Sequence, residues 1–361
     1  MVTKDTRKEI NSILVIKLRY LGDVVLTTPV FEALRYYYPE ASITALVNKG
    51  TDAMLINNPN VDRIFVVERD ENPLTDLKKQ IDLILKLRRL HFDMALELTK
   101  NDRGAAYSFL SGAKKRLGYK SKPENIRRFD RHLLFTDLIV IPKGTHMVDR
   151  HLQMIEQLGH VPPSRSPVLY WDKEESLSCE EILLQEGLSL DSEFVVLHPI
   201  LKSKYRAWRI EGYAKLCDHL KDEFDITTVL VCGDSRDEID FTNKIAELSR
   251  SCPVNLGGRL SLRHLVVLLA NATMFVGIDS GPMHMAAAVK TPVVAIFGPT
   301  EKKTWAPWGE NHTIVQKEWE CIPCIKEGCN NSGKSRCLDE LSCEDVIGVA
   351  GSRLRTILER T

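Results

Sequence analysis

Two short segments set an acid beside a glycine where a strand should run into a helix: Leu21-Gly22-Asp23 and Asp279-Ser280-Gly281. In the first, Gly22 lets the backbone turn tightly and approach a ligand, and a negative charge suits the start of the following helix. A carboxylate at Asp23 is then placed to take a proton from a hydroxyl. The same residue could equally serve only as the N-cap of its helix. The second turn is Gly277-Ile-Asp-Ser-Gly-Pro-Met-His284. Pro282 suits a first helical turn, so the NH groups of Ser280 and Gly281 would point outward from a positive helix end, a ready site for a diphosphate. His284 could donate to a phosphate or contact a sugar; a capped helix with a buried histidine is the competing reading. Gly298-Pro299-Thr300 supplies a further close-approach loop on the same face.

A third group is His198-Pro199, Lys202, Lys204, Arg206 and Trp208-Arg209, after the apolar run Phe194 to Leu197. Cations on a strand-end loop suit a leaving diphosphate, whose charge they would offset; an exposed basic loop fits as well. A fourth is Cys232-Gly-Asp-Ser-Arg-Asp-Glu238, where Asp237 or Glu238 at a helix start could hold a ribose hydroxyl.

Other patterns promise less. Gly328-Cys-Asn-Asn-Ser-Gly-Lys-Ser335 matches the P-loop string, but a P-loop must join a buried strand to a helix, and a Cys/Pro stretch precedes this one. No GxGxxG follows any strand, so the main signal of a nicotinamide or flavin enzyme is absent. Cys321, Cys324, Cys329 and Cys337 are spaced closely enough to clip a structural metal, although the spacing fits no zinc module cleanly, and a reduced or disulfide-tied loop competes. No acidic pair of the DxD type precedes the candidate sugar site, which argues against a catalytic metal. Cys179, Cys217, Cys232 and Cys252 stand singly and read as small buried residues. Between Lys114 and Arg131 eight Lys or Arg face two acids. That stretch, with Lys114, Lys115, Arg116, Lys120, Arg127 and Arg128, could meet anionic headgroups or a phosphorylated glycolipid, or be a solvated loop.

The elements that must position these residues alternate. Apolar runs at 12–18, 42–47, 63–67 and 93–98 read as strands, and 23–38, 51–57 and 76–90 read as helices. A second series follows the linker-like Val161-Pro-Pro-Ser-Arg-Ser-Pro167: strands at 194–198, 227–232, 254–256, 274–278 and 293–297, helices at 211–224, 237–248, 261–270 and 282–289. Ser178, with Glu181 three residues on, fits a helix start. Strand–helix alternation means parallel pairing in open α/β sheets. The expected domains are 1–172 and 173–345, followed by a helix over 346–361. Ligands of such sheets bind beyond the carboxyl ends of the strands, and a cleft shared by two such domains is the default active site.

The chain's 361 residues suit two such units, and its formal net charge of zero gives no reason to expect nucleic acid. The run Ile13 to Ile16 is too short for a signal-peptide core, and no window reaches about 18 apolar residues. A cytosolic protein is expected.

Together, Ile16-Lys-Leu-Arg-Tyr-Leu-Gly-Asp-Val-Val-Leu-Thr-Thr-Pro29, Gly277 to Ala288 and Ala295-Ile-Phe-Gly-Pro-Thr300 resemble glycosyltransferase family nine, the bacterial lipopolysaccharide heptosyltransferases. Gly50-Thr-Asp-Ala-Met-Leu55 and the cysteine-rich tail resemble its heptosyltransferase III branch. The resemblance implies a GT-B fold, an ADP-heptose donor and a lipid A–inner-core acceptor met at the inner face of the inner membrane. It also implies an inverting displacement that needs no catalytic metal. Asp23 would be the general base, and Gly22 would lie against the acceptor. Asp279, Ser280, Gly281, Met283 and His284 would hold the donor, with Lys202 or Arg206 on the departing diphosphate. Arg206 stands where the family commonly has Lys. The rivals are a GT-B enzyme of another nucleotide sugar and a non-catalytic, metal-clipped binding module.

Overall fold

The computed structural model describes residues 10–120, 131–200, 204–324 and 326–360. The chain divides into two units between Arg165 and Ser166, inside the Pro/Ser-rich linker. Among the described residues, no helix is long and apolar enough to cross a membrane.

The first unit runs β1 (Ser12–Lys17), α1 (Leu21–Val25), α2 (Thr28–Tyr37), β2 (Ser42–Asn48), β3 (Arg63–Val67), α3 (Pro73–Arg88), β4 (Met94–Glu97), α4 (Asp102–Leu110), β5 (Lys115–Tyr119), β6 (Asp137–Ile139) and α5 (Met147–Gln157). Its six strands order β3-β2-β1-β4-β5-β6, the arrangement of a doubly wound nucleotide-binding sheet. Each neighbouring pair of its strands is parallel. β1 is central and buried from Ile13 to Lys17, as its continuous apolar run requires. Each fully buried branched side chain there stabilises the unit by roughly 1.5–3 kcal/mol.

The single helix expected over 23–38 is two. The Thr27 hydroxyl donates to Val24 O at 2.6 Å and that of Thr28 to Val25 O at 2.9 Å. Such local bonds compete with the helical ladder, and Pro29 restarts it near the N-terminus of α2. The start is also earlier than expected: Tyr20 occupies the N-cap, and Asp23 lies within α1.

The second unit runs α6 (Lys173–Leu184), β7 (Phe194–His198), α7 (Ile210–Phe224), β8 (Thr227–Leu230), α8 (Arg236–Leu248), β9 (Val254–Asn255), α9 (Leu262–Asn271), β10 (Met274–Ile278), α10 (Gly281–Ala288), β11 (Val293–Ile296), α11 (Lys302–Trp305), β12 (His312–Val315), α12 (Arg336–Asp339) and α13 (Cys343–Leu358). The order β12-β11-β10-β7-β8-β9 repeats the first sheet's topology. α13 returns to this unit, burying Val346, Ala350 and Leu354 in its core. α6 is capped by Asp172, which forms a reciprocal capping box with Glu175, and not by Ser178. Ser178 lies inside the helix, its hydroxyl 3.2 Å from His264 Nε2.

Candidate active site

Each sheet reverses its strand order once, β1 against β4 and β7 against β10, and a ligand crevice opens beyond the carboxyl ends of such strands. Both reversal points carry buried charge.

In the first unit, β1 ends on Lys17, only 2% exposed. A buried ammonium is costly unless paired and fully hydrogen-bonded. Lys17 Nζ meets Asp23 Oδ1 at 3.1 Å, Leu98 O at 3.1 Å and His151 Nε2 at 2.9 Å. Three acceptors match its three protons. His151 Nε2 therefore accepts, and its Nδ1–H donates to Leu26 O at 3.1 Å, just past α1. Burial pushes the His151 pKa well below the ordinary value, which agrees with this neutral tautomer. Burial also lowers the Lys17 pKa, against the pull of Asp23.

Glu97, at the end of β4, is the other buried acid here. It accepts from Thr99 N at 2.8 Å and, through both oxygens, from Lys100 N at 3.0 and 3.1 Å. Burial nevertheless raises its pKa to about 7. Glu97 thus closes its own turn, whereas Asp23 Oδ2 has no partner among the described residues.

In the second unit, β7 ends on His198 and β10 leads into Asp279. Gly277 makes their approach possible, since a Cβ there would lie 2.8 Å from His198 O. His198 Nδ1 is 3.3 Å from Ser280 Oγ, and burial pulls its pKa down to about 4, leaving a neutral ring. Asp279 is 8% exposed. Burial raises its pKa, opposed by a bond with Thr300 and by Arg206, whose Nη1 lies 3.4 Å from Oδ2. Ser280 occupies the N-cap of α10, yet its hydroxyl does not cap the helix. The first-turn amides of α10 are thereby left without a side-chain cap, which is the arrangement that receives anions.

Two parallel sheets of one topology, each with an acid at its reversal point, fit a nucleotide-sugar enzyme. A model of glycosyltransferase family 9 (heptosyltransferase) matches residues 81–334. The chain is also 31% identical over 339 residues to lipopolysaccharide heptosyltransferase 3 of Escherichia coli strain K12, covering 91% of this chain and 94% of that protein. The chain belongs to glycosyltransferase family 9.

Solved family 9 structures share its GT-B fold. The glycosyl transferase family 9 protein from Veillonella parvula DSM 2008 superposes with TM-score 0.82 at 22% identity, covering 96% of this chain and 98% of that one. E. coli ADP-heptose lps heptosyltransferase II does so with TM-score 0.75 at 22% identity, covering 96% and 99%.

The family 9 fold gathers some of the residues expected from sequence and scatters others. Arg206, Asp279, Ser280, Gly281 and His284 collect around β7 and β10, His284 being 4% exposed with its ring 6.4 Å from that of Trp305. Met283 is fully buried. Lys202 lies outside the described residues. Trp208 belongs to the core, and its indole NH donates to Leu341 O at 3.1 Å. At the carboxyl end of β8, Glu238 Oε2 accepts from Gly233 N at 2.8 Å, while Asp237 is exposed.

Among the residues expected to meet the acceptor, Gly22 is buried in α1 beside Asp23. Lys114, Lys115 and Arg116 sit at the amino end of β5, the opposite end of the sheet from Asp23. Lys114 pairs with Asp93 at 2.7 Å, and Arg116 donates to Leu134 O and Ala113 O. Lys120 lies past the carboxyl end of β5 and is exposed. Arg127 and Arg128 lie outside the described residues.

The cysteine cluster does not support the structural metal. Among the described residues no three His, Cys, Asp or Glu side chains are arranged to hold an ion. Cys321 and Cys329 are exposed and Cys324 half-buried, whereas Cys337 packs into the second unit's core. Burial pushes the Cys337 thiol up to about 11, and the nearby Cys329, Cys324 and Cys321 add to the rise. Of the four single cysteines, Cys179 and Cys217 are buried, but Cys232 is half-buried and Cys252 exposed. The P-loop string follows no strand and leads only to the short α12.

Sequence reasoning missed the roles of Lys17, Glu97 and His151. The one available signal was a lysine inside the apolar run Ile13 to Leu18.

Proposed function

We propose that the chain transfers heptose from ADP-heptose to a heptose of the lipopolysaccharide inner core, with inversion and without a catalytic metal. The names of its relatives support the donor and acceptor classes. The carrying observation is the contrast between the two buried acids of the first unit: Glu97 is consumed by backbone amides, and Asp23 keeps an oxygen for a substrate. Asp23 takes the proton of the acceptor hydroxyl as its oxygen bonds the anomeric carbon. The bond from that carbon to the ADP oxygen breaks on the opposite face. Arg206, Lys202 and the first turn of α10 offset the charge gathering on the diphosphate. Glu238 or Asp237 takes the ribose. The acceptor is lipid-linked, so the enzyme works at the cytoplasmic face of the inner membrane.

Asp23→Ala is expected to abolish transfer while ADP affinity, read by calorimetry, changes less than about twofold, since Asp23 acts on the acceptor. Near-wild-type turnover would remove Asp23 as the base. Assaying ADP- against UDP-linked sugars tests the donor, the anomeric configuration of the product tests inversion, and turnover after chelation tests the metal.

A further inference from the structure

α3 shows a face that its own unit leaves uncovered. Leu87 is fully buried, and Leu83 and Ile84 pack beside it against the first core. On the far side Leu74, Leu77, Ile81 and Leu85 are 79%, 57%, 47% and 48% exposed. Spacings of three, four and four residues align them in one stripe along a helix roughly 24 Å long. Side chains such as these are normally the ones a surface helix turns inward. Asn72 caps the start, its side chain accepting from Leu74 N at 3.0 Å, so the helix is formed with the stripe outward.

The unpaired charges beside the stripe are mostly positive. Lys79 is held by Asp70 and Asp76 by Arg69. Lys78, Lys86, Arg88 and Arg89 are exposed and have no partner among the described residues, against two unpaired acids, Asp82 on the helix and Glu71 just before it. A second copy meeting this face about a twofold axis would set these cations against themselves. An anionic bilayer meets both features at once, because apolar side chains enter the acyl boundary while flanking cations remain at the headgroups.

We propose that α3 is a membrane-docking helix lying in the surface of an anionic bilayer, with Leu74, Leu77, Ile81 and Leu85 inserted and Lys78, Lys86, Arg88 and Arg89 at the headgroups. Its purpose rests on the lipid-linked acceptor proposed above; its test does not require turnover.

The full chain is mixed with vesicles of phosphatidylcholine alone or with an equal part of phosphatidylglycerol, and binding is read by flotation at low and high salt. The wild-type chain is expected to float with the anionic vesicles, less so at high salt. Leu77→Ser with Ile81→Ser should lower that binding about tenfold or more, and Lys78→Glu with Lys86→Glu likewise about tenfold or more. Anionic vesicles should slow amide exchange over 73–88. Both double variants should retain the wild-type circular dichroism and turnover on a delipidated core oligosaccharide. Failure of the wild-type chain to bind, equal binding by all variants, or a solution dimer dispersed by the same substitutions overturns the docking role. Loss of turnover by the wild-type chain on every heptose acceptor sinks the functional reading and leaves the docking test intact.

Discussion

Lys17 Nζ stands 3.1 Å from Asp23 Oδ1, with the two side chains 3% and 11% exposed. The pair joins the end of the central strand to the helix that follows it. His151 braces Lys17 against the residue that closes that helix: its Nε2 accepts from Lys17, and its Nδ1 donates to Leu26 O. Lys17 has no proton left for a substrate. Its work is to fix where the Asp23 carboxylate points.

Removing one partner should therefore cost more than removing both. Lys17→Met leaves a buried carboxylate uncompensated, a loss of about 3–5 kcal/mol. Lys17→Met with Asp23→Asn should recover a substantial part of it. Urea unfolding of the wild-type protein, both single variants and the double variant closes the cycle. Strict additivity would mean that the two side chains do not depend on each other.

Arg206 ties the β7 loop to Asp279, and its Nε has no partner among the described residues. Arg206→Ala should weaken ADP binding by about 1.5–3 kcal/mol, the range for a hydrogen bond to a charged group. Arg206→Lys keeps the charge but loses the planar fork, so it should restore part of that affinity. Unchanged ADP calorimetry in Arg206→Ala would place the guanidinium outside the donor site.

His198 makes the second unit sensitive to acid. Its folded pKa, about 4, lies below the unfolded 6.5, so the unfolded chain takes up a proton first. Its contribution is complete above pH 6.5 and declines as pH falls toward 4, by about 3 kcal/mol in all. His198→Asn should flatten that part of the profile. Urea midpoints of the two proteins from pH 7 to 4.5 measure it, and parallel profiles would show that the ring titrates normally.

Much of the frame was legible because local signals coincide with tertiary ones. β7 and β10 are apolar runs that end at His198 and Ile278, and both limits match the residues read as strand. The turn at Asp279-Ser280-Gly281 needs only a strand, small residues and Pro282, all visible in order. Contacts between distant residues were not. Lys17 and His151 are 134 positions apart, and nothing local to either announces the other. β5 was hidden because Lys115 and Arg116 mask the apolar residues Leu117 and Tyr119 of a strand that begins in charge. Asp172 and Ser178 both satisfy a capping pattern, and the reciprocal bonds of Asp172 and Glu175 start the longer helix. The cysteine spacing suggested a ligand set, but among the described residues no three such side chains are arranged to hold an ion, which spacing cannot reveal.

Glu97 should respond to pH in the opposite sense from His198. Its folded pKa, about 7, lies above the unfolded 4.5. Below pH 4.5 both states hold the proton and nothing is lost. As pH rises through 7 the unfolded chain releases its proton first, and the native state gives up about 3 kcal/mol. Glu97→Gln cannot titrate and still offers an oxygen to the amides of Thr99 and Lys100. Relative to wild type it should therefore gain stability from pH 5 to about 7 and level off above that, whatever constant cost the altered bonds impose. Comparison at matched pH cancels the titration of His198 and His151, which both proteins share. A constant difference between the two urea midpoints across that range would show that Glu97 is ionised throughout, and that Lys17 has a second carboxylate neighbour at the end of β4.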